Sequence, residues 1–199
     1  MRQAKSRFRS FEEYAALDPS ELPEGNYELI NGAIVEMGAE NDGNVVIAGF
    51  LFSVLLQFVP HYLMRRGTEI RVSSTLVTSR YPDLMVVTEE LHQALKRDRR
   101  SLIDSDMPAP RLVVEVVSPG EPGSNNYDRD YLEKPQEYSQ RGIPEVWLVD
   151  PSREVVLVLT LAVNTYTAVA FRGRDRLGST QFPQLDLMAQ QILSAGVPD

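Results

Sequence analysis

The chain predicts an α/β fold, a central mixed β-sheet flanked by helices, and three observations predict it. Two apolar runs, Leu84-Met85-Val86-Val87 and Leu112-Val113-Val114-Glu115-Val116-Val117, have the length and β-branched content of buried strands. An Asn31-Gly32 pair between two short strand-like segments marks a hairpin, because Asn-Gly supplies both positive φ angles of a type I′ turn. Helix-forming stretches are interleaved with the strands rather than segregated from them, the order of a sheet with helices packed on it.

Taken in order, Ser10-Phe11-Glu12-Glu13 reads as a capping box that starts a short helix through Leu17, with Asp18-Pro19 ending it. The hairpin spans 26–37, and its register puts Tyr27, Leu29, Ile34 and Glu36 on one face and Glu28, Ile30, Ala33 and Val35 on the other. Residues 44–63 predict a helix that is apolar almost all round and therefore buried between layers. A strand over 69–73 precedes the strand of Asp83, which would share a face with Met85 and Val87. A charged helix over 89–100 follows, and Pro108 and Pro110 lead into the strand of Glu115.

The run from Ser118 to Asn126 is rich in breakers and must be a loop. A helix over 128–141 ends at Gly142, with Pro144 just beyond. Pro135 conflicts with a regular helix there, so either the helix begins near Lys134 after an irregular lead-in or it kinks. A second hairpin pairs 145–150 with 154–161, a further strand covers 165–171, an edge strand is expected over 176–182, and Asp186 caps a last helix over 187–193. With 199 residues, 43% of them hydrophobic, and neither repeat nor linker, one domain over 1–199 is expected, its core at about 11–193.

Composition removes several functions. The chain has no cysteine, which excludes disulfides, thiolate nucleophiles and Cys-based zinc sites and fits a reducing, cytoplasmic setting. The basic N-terminus lacks the apolar segment of a signal peptide, and the apolar stretch 45–59 is too short and mixed to span a membrane, so no membrane partner is expected. A net charge of −8 argues against tight non-specific grip on nucleic acid, where phosphate neutralisation supplies most of the affinity. Lys96-Arg97-Asp98-Arg99-Arg100 is a local basic run that reads as a solvated loop rather than a binding patch. His61 and His92 stand apart and are assigned structural or surface roles. Phosphate-binding loops, dinucleotide fingerprints and nucleophile elbows are absent.

What survives is two carboxylates in apolar strands, Asp83 and Glu115, and a downstream Lys134. Desolvating an unpaired carboxylate costs several kcal/mol, on the order of a domain's whole stability, unless a cation or donor compensates it. A divalent metal held by hard oxygen ligands is one such cation. Taken alone, the two acids more often serve structure, and Lys134 an ordinary ion pair with Asp130 one turn away.

Pro82-Asp83, the strand Glu115-Val116-Val117-Ser118 and Lys134 together resemble the PD-(D/E)XK nuclease superfamily, in its Uma-type restriction endonuclease branch. Tyr27-Glu28-Leu29-Ile30-Asn31-Gly32, Lys134 followed by Tyr138, and the segment from Gly142-Ile143-Pro144 to Asp150-Pro151 carry the resemblance across roughly residues 11 to 193. Val117 stands where the superfamily usually has lysine, so the lysine role passes to Lys134, and Asn44 stands where the family often has histidine and receives no role. The resemblance implies a restriction endonuclease-like fold and metal-dependent hydrolysis of DNA. Asp83 and Glu115 would bind Mg²⁺ or Mn²⁺ with the Val116 carbonyl, Lys134 would act on the attacking water or on phosphate charge, and Glu28 would be a supporting acid. Tyr138 is assigned to the core. A catalytically silent dimeric binding or regulatory module on the same fold stays open, and hydrolysis of small nucleotides beside it. Val-rich edges favour a homodimer, the commonest symmetric oligomer.

Overall fold

The computed structural model describes residues 7–23, 27–38, 41–73, 76–97 and 100–195. Asn26 of the expected hairpin and Asp98 and Arg99 of the basic run lie outside them.

Helix α1 (Phe11–Ala15) starts at Ser10, whose hydroxyl accepts from the Glu13 amide. The reciprocal half of the capping box is displaced: the Glu13 carboxylate accepts from the Arg9 amide at 2.8 Å. The helix stops at Ala15, short of Leu17. Strands β1 (Tyr27–Ile30) and β2 (Ala33–Glu36) pair antiparallel around Asn31 and Gly32, both at positive φ, and the register pairs Leu29 with Ile34 and Tyr27 with Glu36 as expected.

Helix α2 (Asp42–Leu55) is capped by Asn41 and corrects the expected 44–63 helix at both ends. After Leu55 the amides of Gln57 and Phe58 bond three residues back, which tightens the chain into turns before Pro60. Nor is α2 buried all round. Ile47, Ala48, Leu51 and Leu55 face the core formed with β8 and α6, while Val45 and Val46 of α2 and Leu56 just after it stay exposed.

The middle of the chain supplies β3 (Met64–Arg65), β4 (Glu69–Arg71), β5 (Ser79–Arg80), β6 (Leu84–Val86), α3 (Glu89–Leu95), β7 (Leu102–Ile103) and β8 (Leu112–Val116). Asp83 lies immediately before β6 rather than inside it. Then come α4 (Asn125–Asp128), a π-helical turn (Arg129–Glu133) and α5 (Lys134–Gln140), followed by Gly142 at φ 78°. Strands β9 (Glu145–Asp150), β10 (Val155–Ala162) and β11 (Thr165–Phe171) form a meander, and α6 (Ala189–Leu193) closes the described chain. The expected edge strand over 176–182 reduces to one bridge between Arg176 and Met188, and α6 is capped by Met188 rather than Asp186.

The architecture is mixed α/β as predicted, with the strands divided between two mixed sheets ordered β2-β1-β5-β4-β7 and β11-β10-β9-β8-β6-β3. Parallel pairs, β4 with β7 and β8 with β9, are the minority. Alternation along β8 places Leu112, Val114 and Val116 in the core under α2 and α6, and Val113 and Val117 in the core under α3 and α5. Glu115 points to the α5 side, where Lys134 and Tyr138 are the buried residues of that helix. Among the described residues no helix is long and apolar enough to cross a membrane.

Candidate active site

Glu115 is 2% exposed, and both its oxygens are engaged from α5. Lys134 Nζ donates to Oε2 at 2.7 Å, and the Tyr138 hydroxyl donates to Oε1. Residues 134 and 138 are one helical turn apart, so a single helix face delivers an ammonium and a phenol to one carboxylate. The π-helical turn makes this delivery compatible with Pro135. Pro135 falls in the first turn of α5, where a missing N–H costs least, and the irregular lead-in ahead of it is the first of the two arrangements the sequence left open.

Asp83 arrives from the other side. Its Oδ2 accepts from the Val116 amide at 2.6 Å, tying the entry to β6 to the end of β8. The Val116 carbonyl accepts from Asn44 Nδ2 at 3.3 Å, and a carbonyl keeps a second lone pair for another partner. Glu28, 3% exposed on β1, stands with Oε1 3.9 Å from Lys134 Nζ, and its Oε2 accepts from Arg80 at 2.6 Å. Arg80, 1% exposed, also binds Glu133 and Glu137, which flank Lys134 on the helix.

Four expected residues, Glu28, Asp83, Glu115 and Lys134, with Val116, thus line one cleft of about 910 Å³. Sequence reading missed Asn44, Arg80, Arg129 and the Tyr138 hydroxyl. Asp130 appeared only as a surface ion-pair partner, yet it is 2% exposed and accepts from the Ser118 amide and from Arg129 while standing 3.3 Å from Lys134. The i,i+4 spacing from Asp130 to Lys134 was its signal; nothing local announces the pairing of Asn44 with Val116 or of Arg80 with α5.

Electrostatics follow from this crowding. Burial alone would lower the Lys134 pKa, but Glu115, Glu28, Asp130 and Asp83 more than offset it and hold the ammonium charged. Burial pushes the Glu115 carboxyl up, against Lys134 and Tyr138, which favour its charged form. Burial also opposes the charge on Asp130, yet Lys134 and Arg129 outweigh it and draw that pKa down. In the described lining of the cleft four acids, Glu28, Asp83, Glu115 and Asp130, thus meet three cations, Arg66, Arg129 and Lys134, with Arg80 on Glu28 behind them.

The donor set fits a hard divalent cation in kind, since it offers two carboxylates and a peptide oxygen. Among the described residues no three acidic or histidine side chains gather closely enough to hold a metal by themselves, so water and phosphate oxygens would complete the shell.

A family model described as "Putative restriction endonuclease" (Uma2) matches residues 11–190. The chain belongs to this family. A crystal structure described as "a putative nuclease belonging to DUF820", from Anabaena variabilis, is similar to this Uma2 chain with a TM-score of 0.68 at 19% identity, covering 94% of this chain and 98% of that one. At that identity the likeness bears on the fold. None of the curated proteins compared matches the chain.

Proposed function

We propose that this Uma2 protein is a metal-dependent endonuclease that hydrolyses phosphodiester bonds of DNA at the cleft between β6, β8 and α5. The observation that carries the reading is the contact of Lys134 with Glu115, made in the same cleft as Asp83 and the Val116 carbonyl. Asp83, Glu115 and Val116 would hold Mg²⁺ or Mn²⁺. When bound, such an ion acidifies its water and offsets charge on phosphate.

The chain's own residues account for the rest. Hydrolysis adds water across a P–O bond: a bond forms from the water oxygen to phosphorus, the bond to the leaving sugar oxygen breaks, and the water proton must leave the nucleophile while the sugar oxygen gains one. Lys134 stays protonated among carboxylates, so it suits donation to a phosphate oxygen or orientation of the attacking water, rather than proton removal. Tyr138 and Arg80 act on the machinery from behind. The first holds Glu115, and the second holds Glu28 and the start of α5.

The test incubates purified protein and its Asp83→Ala variant with Mg²⁺ or Mn²⁺ on plasmid and on single-stranded DNA. Cleavage by wild type that the variant loses is expected. No cleavage of any substrate, or cleavage that survives in the variant, overturns the reading.

A second reading, a catalytically silent module acting as a homodimer, is favoured by the exposed Val45 and Val46 on α2 and by the acidic net charge. Calorimetric titration with Mg²⁺ separates the two. A working site gives heat that disappears in both Asp83→Ala and Glu115→Ala, whereas a silent module gives none.

A further inference from the structure

We propose that Arg66 is the phosphate-binding residue at the mouth of the cleft, and that the ligand it takes is an unpaired nucleic-acid strand rather than a duplex. The proposal rests on the nuclease reading and names its substrate class.

Among the described residues three cations line the cleft: Arg66, Arg129 and Lys134. Two of them are already spent. The Arg129 guanidinium grips Asp130 through Nε at 2.9 Å and Nη2 at 3.1 Å, and Lys134 sits among Glu115, Asp130 and Glu28. Arg66 is exposed, and among the described residues it makes one hydrogen bond, from Nε to the Asp83 backbone carbonyl at 3.3 Å, and no ion pair. That single bond leaves both terminal nitrogens to a ligand and fixes the guanidinium beside the acid that would hold the metal. The backbone supports the placement, since Gly67, in the left-handed region at φ 69°, turns the chain between β3 and β4 directly after Arg66. A planar guanidinium with two free terminal NH2 groups matches a phosphate's paired oxygens.

The class of strand follows from burial and charge. The groups that would act on phosphorus are recessed: Lys134 is 6% and Glu115 2% exposed, so the phosphate must enter the cleft to reach them. An unpaired strand can bend its backbone inward at one nucleotide, whereas a paired one must first be unpaired or deformed, which costs free energy. Duplex binders offset that kind of cost with many phosphate contacts, and the described lining of this cleft has one uncommitted cation on a chain of net charge −8.

The experiment measures fluorescence anisotropy of a labelled single strand and of its duplex with wild type, Arg66→Gln and Arg174→Gln across a salt series. Calcium ion is present throughout, and a denaturing gel checks that the strand is intact. Arg174 is exposed and absent from the cleft, so its variant controls for the loss of one charge. Expected are tighter binding of the single strand than of the duplex, about tenfold weaker binding by Arg66→Gln, and a log–log salt slope shallower by about 0.7 in that variant. Arg174→Gln should bind as wild type does. Equal affinity and slope for wild type and Arg66→Gln, an equal effect in both variants, or preference for the duplex overturns the proposal while leaving the nuclease reading standing. Absence of binding to either probe by wild type overturns both.

Discussion

Lys134 and Tyr138 illustrate how differently two neighbours of one carboxylate can matter. Removing the ammonium by Lys134→Met leaves Glu115 and Asp130 buried without their nearest shared cation, and breaking a buried pair from one side costs about 3–5 kcal/mol. Tyr138→Phe keeps the ring in the core and deletes one donor, which costs about 1–3 kcal/mol. Urea unfolding should rank them in that order, and a lysine variant as stable as the protein itself would contradict this account of the cluster. His92 gives a pH prediction at the same scale. Arg65 Nη2 lies 2.6 Å from its Nδ1, and because arginine can only donate, that ring nitrogen must accept and the ring must be neutral. Burial, then Lys96 and Arg65, lower its pKa below the ordinary 6.5. A depressed histidine contributes stability that is fully present above the unfolded pKa and lost as pH falls toward the folded one. The stability of wild type relative to His92→Gln should therefore shrink as pH drops below about 6.5; a difference that stays constant or grows would refute it.

At the scale of elements, legibility tracked whether a rule is local. The β1–β2 hairpin was readable in type and register because Asn31-Gly32 specifies its own turn. The end of α2 was not, since the apolar pattern runs on to Val59 while the amides of Gln57 and Phe58 already bond three residues back. Burial of one face of α2 was equally hidden, because Val45 and Ile47 look alike in a sequence and differ in what the tertiary fold sets against them. Asp83, Glu115 and Lys134 were legible as candidates through apolar context and family resemblance, but Arg80 and Asn44 act across 52 and 72 positions of chain. The π-helical turn has no compositional signature either; Pro135 announced only that the helix has an irregular lead-in or a kink there. That turn yields a prediction. Leu132 is 57% exposed, so Leu132→Ala should change stability by no more than about 0.5 kcal/mol. Deleting Leu132 instead removes a residue from the turn and rotates α4 and Asp130 by about 100° relative to Lys134. The deletion should cost several kcal/mol by urea unfolding, and the same small effect in both variants would show that the π turn does not set the geometry of the cluster.

For the whole molecule the governing quantity is a net charge of −8 carried by a chain whose strongest ion pairs are internal. Arg80 with Glu28, Arg100 with Glu69 and Lys134 with Glu115 are shielded from solvent ions by burial, so added salt weakens them little. Exposed pairs such as Arg71 with Glu12 contribute little to begin with. The surplus acidic groups, by contrast, repel one another through water. At about 0.01 M salt the screening length is about 30 Å and the whole surface interacts; at about 0.1 M it is about 10 Å and only near neighbours do. Salt should thus relieve repulsion more than it weakens attraction, and the melting temperature at pH 7 should rise by a few degrees between those two concentrations. Lowering the pH toward neutrality of net charge removes the repulsion at its source, so the same increase in sodium chloride should then leave the melting temperature nearly unchanged. Differential scanning calorimetry at both pH values checks the two arms together. A melting temperature that falls with salt at pH 7 would mean that exposed ion pairs, rather than the buried clusters around Arg80, Glu69 and Lys134, carry the electrostatic stability of the fold.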